Sequence, residues 1–251
     1  MGKMKALYKV FMVNSLSNKF AFIYNLLLPV LAFIYSNWQH FFHPVEMTEQ
    51  QLFSGLGLFW AYIILVTLLN MVIVPTLMQR ESGYYKGLYF ITGSKWQVFF
   101  ANFAVQVTIL FFEMVLFNFV VMLILRTWSW GILLGGIASV FLLTIPVTLI
   151  SSLFLTIKIK LESVTIVETA TLFVLFFLAG ISGHNALENF LLLLNPIKYL
   201  SQGAYHISML FVGEMAGLPI IFSLIAITFV YLFIGSWSLA KFDIQPVLER
   251  I

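Results

Sequence analysis

The chain has 251 residues, of which 61% are hydrophobic and 9% are charged, and its formal net charge is +3. Soluble domains carry about 25% charged residues, and a folded chain of this size still exposes much of its surface to solvent. The composition therefore excludes a water-soluble globular protein and predicts an integral membrane protein. The modest net charge gives no reason to expect a nucleic-acid partner. Because the chain has no cysteine, disulfides, thiol catalysis and cysteine-ligated metals are excluded.

The N-terminal segment, about 4–18, mixes lysines with apolar residues such as Leu7, Phe11 and Met12. This mixture predicts an amphipathic helix that lies along the inner membrane interface, with its lysines toward anionic lipid headgroups. A disordered basic tail is the alternative.

Six apolar windows are long enough to cross a membrane, which takes about 20 residues in a helix. They cover about 20–38, 52–77, 96–125, 131–156, 164–182 and 217–240. The runs are apolar on every side, whereas a membrane-spanning barrel strand alternates apolar and polar residues. The sequence therefore predicts an all-α polytopic membrane protein with six transmembrane helices, organised as one permease domain over 1–251.

The region 183–211 contains four consecutive leucines, but the apolar run is too short to span. Glu188 precedes it, and Asn195, Pro196 and Lys198 follow it. We therefore predict an outer re-entrant or interfacial element of short helices, broken at Asn195–Pro196. Irregular backbone at membrane depth requires protein or water to satisfy its polar groups.

Positive charges indicate the orientation. With six spans both termini lie on one side, and all Lys and Arg residues except Arg126 and Lys198 lie on that side too. The positive-inside rule makes this side cytoplasmic. A seventh span would move Lys241 and Arg250 to the outside, against this bias. We expect a multi-pass protein of the cell membrane, with a bacterial plasma membrane as the expected location.

The predicted cytoplasmic segment at about 78–95 combines charges, glycines and tyrosines, yet it carries no nucleotide-binding motif. Gly93, Ser94 and Lys95 are followed by Trp96, and the upstream glycine of a phosphate-binding loop is missing. The motifs H-E-x-x-H and G-x-S-x-G are also absent. The sequence predicts neither a catalytic site nor a metal site, and no cofactor bound by this chain.

Two carboxylates, Glu113 and Glu168, fall inside predicted spans, where such groups are costly and often functional. Glu113 is either a cavity or proton-linked residue, or a protonated or hydrogen-bonded carboxyl at a helix contact. For Glu168 the simpler interpretation is a side chain that snorkels to the cytoplasmic membrane edge. Phe112, Phe173 and Phe177 could line an apolar substrate path together with Glu113.

Three features resemble the membrane subunits of type-2 ABC exporters, the bacterial ATP-driven export permeases. The basic N-terminal segment resembles the connecting helix of that family. The segment RESGYYKGLYFITGSK resembles the family's loop motif through Arg80, Glu81, Gly83, Leu88, Gly93 and Ser94, although Gly93 stands where the family often has proline. The segment NPIKYLSQGAYHI resembles the outer element before the last span through Asn195, Pro196, Ile197, Tyr199 and Ala204, but lacks its arginine-like ending.

The resemblance implies a partner and a mechanism. Two permease chains would pair as a homodimer or heterodimer, and two cytoplasmic ABC ATPase subunits, which hold ATP and Mg²⁺, would bind beneath them. The segment 78–95 would be the coupling helix, with Tyr84 and Tyr85 as anchors at the ATPase. Asn195, Pro196 and Tyr199 would form an outer gate.

The expected cargo is hydrophobic or amphipathic: a peptide, an antimicrobial, a drug or a lipid, moved out of the cell. One alternative is an ion-coupled secondary transporter that uses Glu113 or Glu168. A non-transporting membrane sensor or anchor is the other.

Overall fold

The computed structural model describes residues 2–17, 19–39, 47–159, 161–214 and 217–246. Within these ranges the chain is almost entirely helical and forms no β-strand, which confirms the predicted all-α class. The helices are, in chain order, α1 (Gly2–Ser17), α2 (Lys19–Ser36), α3 (Glu49–Glu81), α4 (Tyr84–Thr92), α5 (Lys95–Leu125), α6 (Trp130–Thr156), α7 (Val164–Ala179), α8 (Ala186–Leu192), α9 (Pro196–Phe211) and α10 (Leu218–Lys241).

Four of the described helices, namely α3, α5, α6 and α10, are long and apolar enough to cross a membrane. Two shorter apolar helices, Ile23–Ser36 within α2 and Val164–Ala179 (α7), complete the set of apolar segments. At 1.5 Å per residue, α7 is about 24 Å long, which is less than the hydrocarbon thickness of about 30 Å.

The centre of the fold is α9, which packs mainly against α3 and α6. Close approach depends on glycine: a Cβ at Gly57 of α3 would lie 2.8 Å from the backbone oxygen of Ser201 on α9. On the other flank, a Cβ at Gly203 of α9 would lie 3.0 Å from the side chain of Leu143 on α6. These small residues allow α9 to fit between two long helices.

The first helix, α1, packs along α5 through an apolar and a polar contact. Leu7, Phe11 and Ser15 recur every four residues and are buried, as expected for one face of a helix. The Ser15 hydroxyl accepts a hydrogen bond from the Gln106 side-chain amide at 2.7 Å. The helical prediction for this segment is therefore correct.

One long helix, α3, contains a π-helical turn at Leu69–Ile73. Such turns disturb the regular hydrogen-bond ladder. The carbonyl of Met71 in this turn accepts a hydrogen bond from the Asn102 side-chain amide of α5 at 3.2 Å. A buried polar residue of a neighbouring helix thus stabilises the irregular turn.

The predicted coupling segment at about 78–95 contains more than one helix. Residues 78–81 end α3, Lys95 begins α5, and only Tyr84–Thr92 forms the separate helix α4. Gly83 and Gly93 stand at its two ends with φ values of 75° and 78°. Because L-residues with side chains rarely adopt this left-handed conformation, the two glycines explain why α4 is short and separate.

Candidate functional site

Arg80 lies at the end of α3 and is completely buried. Its guanidinium donates from Nη1 to the carbonyl of Leu155 at 2.6 Å and from Nη2 to that of Ile157 at 3.4 Å. Both carbonyls belong to the C-terminal end of α6, where unpaired carbonyls and the helix dipole favour a cation. Nε donates to Glu81 Oε1 at 2.5 Å. Arg80 therefore ties the end of α3 to the end of α6.

Lys95 makes an equivalent contact with α10. Its Nζ donates to the carbonyls of Ala240 and Phe242, each at 2.8 Å, at the C-terminal end of that helix. The Phe242 ring lies 5.9 Å from the Arg80 guanidinium carbon, within the range of a cation–π contact. Arg80, Lys95 and Phe242, together with the carbonyls that they contact, are called the Arg80 junction below.

The short helix α4 is anchored to the Arg80 junction by Tyr85. The Tyr85 ring packs edge-on against Phe242 with ring centroids 5.2 Å apart, and its hydroxyl donates to the Lys95 carbonyl at 2.8 Å. Burial raises the pKa of Tyr85 well above its usual value, so the hydroxyl remains a donor across the physiological pH range. Leu88, one turn later, is also buried. One face of α4 is thus fixed to the bundle.

The opposite face of α4 is exposed and largely apolar. Tyr84, Phe90 and Ile91 are 52%, 73% and 69% exposed, and Gly87 lies between them. Ser94 begins the next helix: its side chain accepts a hydrogen bond from the Gln97 backbone N–H at 3.4 Å, as an N-cap residue does. The exposed residues Tyr84, Gly87, Phe90 and Ile91 are called the α4 face below.

The residues predicted for ATPase coupling therefore divide into two groups. Tyr84 is exposed, whereas Arg80, Tyr85 and Leu88 face the bundle interior, and the Glu81 side chain is 7% exposed. The exposed aromatic and aliphatic residues Phe90 and Ile91 were not among the predicted site residues. The signal is helical spacing, seven residues from Tyr84 to Ile91 and three from Gly87 to Phe90, which becomes visible once both ends of α4 are known.

The predicted outer-gate residues lie at the turn between α8 and α9, where the sequence placed the break. Asn195 caps α9 by accepting from the Ile197 N–H at 2.9 Å, and its amide donates to the Leu175 carbonyl of α7 at 2.7 Å. Pro196 occupies the first turn of α9, where its missing N–H is tolerated. The Tyr199 hydroxyl lies 2.7 Å from Thr228 Oγ1 of α10. This turn therefore joins α7, α9 and α10.

Glu113 lies between α5 and α3 and is completely buried. Its Oε2 accepts a hydrogen bond from the Thr67 hydroxyl at 2.8 Å, while Oε1 has no partner within the described part of the chain. Thr67 Oγ1 in turn accepts from the Asn25 amide of α2 at 3.4 Å. The carboxylate thus sits in a chain of contacts across three helices. Its sequence neighbour Phe112 is 55% exposed and points away from this contact.

Glu168 on α7 is 6% exposed, and the interpretation that its side chain snorkels to the membrane edge stays a prediction. Its side chain lines an open groove between α2, α3 and α7, and so does Phe173. Phe177, one turn beyond Phe173, is 77% exposed. The four residues predicted for a substrate path are therefore not brought together: of them only Phe173 lines this groove.

Among the residues that sequence reasoning missed, Lys198 has a structural role like that of Arg80 and Lys95. Its Nζ donates to the carbonyls of Ala179 and Ile181, at 3.3 Å and 2.7 Å, just after the end of α7. Nothing in the spacing of the sequence identifies a lysine that caps a helix to which it does not belong.

A search for metal-binding groups of three or more His, Cys, Asp or Glu finds none within the described ranges.

Comparison of the chain with known protein families, with curated proteins and with solved structures finds no match.

Proposed function

We propose that the chain is the transmembrane subunit of a type-2 ABC exporter and works with a separate cytoplasmic ATPase. The observation that carries the proposal is α4: a short helix held at one face by the Arg80 junction and exposed at the other. Exposed aromatic residues on a rigid support are typical of protein interfaces. The resemblance of 80–95 to the loop motif of that family gives the same segment the role of a coupling helix.

The proposal includes six spans, formed by α2, α3, α5, α6, α7 and α10. The contacts of the Arg80 junction support this arrangement, because they bring the end of α3, the start of α5 and the ends of α6 and α10 together. In a six-span chain with cytoplasmic termini, all four of these ends lie on the cytoplasmic side. The charge distribution gives that side most of the Lys and Arg residues.

Within this proposal, α4 transmits movement from the ATPase to the spans. A force on the α4 face reaches Tyr85, and from there Phe242 and the Lys95 carbonyl. Arg80 and Lys95 are bonded to the C-terminal carbonyls of α6 and α10, so these helix ends move with α4. Rigid-body displacement of packed elements is a common form of switching. Arg80 and Glu81 therefore position the coupling helix, while Tyr84, Phe90 and Ile91 contact the ATPase.

The element α8–α9 has the role of the outer gate in this proposal. Asn195 and Tyr199 attach the turn before α9 to α7 and α10, so a shift of either span is transmitted to the gate. The cargo is hydrophobic or amphipathic, and a second permease chain completes the pathway.

The deciding experiment is to purify the tagged chain from the cells that naturally produce it and to identify the proteins that accompany it. We expect a P-loop ATPase in a 1:1 ratio with the permease chain. Phe90→Ser on the α4 face should remove the ATPase without reducing the amount of folded permease. Tyr35→Ser is the matched control, since Tyr35 is an aromatic residue that is 86% exposed at the far end of α2.

Three results would contradict the proposal. Transport by the purified chain alone, driven by a proton gradient, would make it a secondary transporter. Stable isolation of the active chain without any ATPase would indicate a sensor or anchor. Equal loss of the ATPase in Phe90→Ser and Tyr35→Ser would show that the α4 face is not the contact.

A further inference from the structure

The groove between α2, α3 and α7 has a volume of about 400 Å³. Glu168 contributes a carboxylate to its wall, and although the residue is only 6% exposed, Oε1 has no hydrogen-bond partner among the described residues. An unpaired carboxylate away from water is costly, and membrane helices rarely carry one without a partner. The structure thus contains a carboxyl group with one enclosed, unpartnered oxygen in the wall of an open groove.

The remainder of the groove is mainly aromatic and apolar, and its other polar side chains, Asn70, Thr165 and Thr169, are uncharged. Tyr24 from α2, Tyr62 from α3, and Phe173 and Phe176 from α7 line it. The rings of Tyr62 and Phe176 lie 5.7 Å apart, so two of the walls meet through aromatic contact. The faces of such rings attract cations, by about 0.5–1 kcal/mol at exposed sites and more where water is excluded.

No basic residue is present among the described residues that line the groove. Three cations elsewhere in the fold, Arg80, Lys95 and Lys198, donate to backbone carbonyls at helix ends. The charge of Glu168 is therefore not balanced by any of these side chains.

We propose that this groove binds a lipophilic organic cation, with the positive group at Glu168 and the apolar body against the aromatic walls. A lipophilic anion would be repelled by the carboxylate, and a neutral molecule without a hydrogen-bond donor would leave that group unpaired. Metal ions require several oxygen or nitrogen ligands, whereas Glu168 is the only acidic residue among the described lining residues. As an assignment of cargo this rests on the proposed function, and it narrows the cargo to molecules that carry positive charge.

The test uses two probes of nearly the same shape and opposite charge: tritiated tetraphenylphosphonium and tetraphenylborate. Saturable binding to the purified chain in detergent is measured by equilibrium dialysis, without ATP or ATPase. We expect saturable binding of the phosphonium only. Glu168→Gln should weaken it by about tenfold or more, because the charge attraction is lost. Glu162→Gln is the control, since Glu162 is exposed and lies two turns earlier in the same segment.

A second variant, at Phe173, tests the aromatic wall of the groove independently of Glu168. Phe173 is 74% exposed, so Phe173→Leu leaves the core intact. It should weaken phosphonium binding by about two- to fivefold through loss of a cation–π contact. Equal binding of both probes, or unchanged binding in Glu168→Gln, would overturn the inference. Because no ATPase is present, these results are independent of whether a P-loop ATPase purifies with the chain.

Discussion

Charged side chains have different numbers of hydrogen-bond partners in two regions of this protein. At the Arg80 junction, the cations of Arg80 and Lys95 contact the carbonyls at two helix ends, and each has more than one acceptor. In the apolar middle of the bundle, Glu113 has one hydrogen bond and one oxygen without a partner in the part of the chain that the structure describes. Within the same ranges, Glu168 also has an oxygen without a partner. In these two regions the basic groups thus connect helix ends, whereas Glu113 and Glu168 each keep one oxygen without a partner among the described residues.

The difference separates structural from functional use of a charged residue. A cation at the C-terminal end of a helix satisfies carbonyls that have no partner within the helix. A buried carboxylate gains nothing comparable from backbone carbonyls, because both are acceptors. Glu113 lies at a contact between helices, and its single bond fixes α3 against α5. Glu168 lines an open groove, where a ligand can supply the missing partner.

The largest effect that we predict comes from Arg80→Met. The substitution removes the hydrogen bonds to the Leu155 and Ile157 carbonyls and the ion pair with Glu81, in a site where the Arg80 side chain is completely buried. Removal of one partner of a buried ion pair costs about 3–5 kcal/mol. We expect a loss of that order in the free energy of unfolding, measured by denaturation in mixed micelles.

Lys5→Met is the control for Arg80→Met, because Lys5 is exposed on α1, and it should change the stability by less than about 0.5 kcal/mol. Arg80→Lys should recover only part of the stability, since lysine lacks the planar fork that reaches two carbonyls. If Arg80→Met were as stable as the unmodified chain, the Arg80 junction would not contribute to the stability of the fold.

The helices of this protein could be predicted from the sequence, whereas the partners of its charged side chains could not. Apolar runs of about 20 residues indicate helices directly, so the all-α class and the positions of the long helices followed from the length of these runs. The break before α9 also followed, because Asn195 and Pro196 are an N-cap residue and a first-turn proline. The bounds of α4 did not follow, because 78–95 was predicted as one coupling helix and the left-handed conformation of Gly83 and Gly93 is visible only in the fold.

The partners of the charged residues could not be predicted in the same way. Arg80 meets carbonyls 75 and 77 positions later in the chain, and Lys95 meets carbonyls 145 and 147 positions later. Every carbonyl looks alike in a sequence, so no pattern identifies which one a cation contacts. The burial of Glu168 also depends on how α7 packs beside α2 and α3. Tertiary packing, rather than local propensity, decides both.

A smaller effect is expected from Thr67→Val. The variant removes the hydrogen bond that Glu113 accepts from Thr67, so that neither carboxyl oxygen of Glu113 has a partner among the described residues. Thr67 is completely buried, and valine nearly preserves its shape. Because the hydroxyl donates the only hydrogen bond that we find at Glu113 among the described residues, its loss should lower the free energy of unfolding by about 1–2 kcal/mol. Thr67→Val combined with Glu113→Leu should recover only part of this loss, since both partners are then apolar but the Asn25 amide still lacks its acceptor at Thr67.

Thr144→Val is the matched control for Thr67→Val. Thr144 is 1% exposed, and its hydroxyl donates to the Val140 carbonyl within the same helix at 2.6 Å. That carbonyl also has a backbone partner in the helix, so no buried group is left unsatisfied. If the two valine variants lost equal stability, the Thr67–Glu113 bond would have no special importance.

The smallest effect is predicted for Tyr85→Phe, which tests how α4 is attached to the Arg80 junction. The variant keeps the ring against Phe242 and removes only the hydrogen bond from the hydroxyl to the Lys95 carbonyl. We expect a loss of about 0.5–1 kcal/mol, as for one neutral hydrogen bond whose acceptor retains a helical partner. Tyr84→Phe, on the exposed side of the same helix, should leave stability unchanged.

Hydrogen exchange of the α4 amides provides a more local measure: it should become faster in Tyr85→Phe and remain unchanged in Tyr84→Phe. Equal exchange in both variants would mean that ring packing alone holds α4, and that the polar contacts of the junction act only on the ends of α6 and α10.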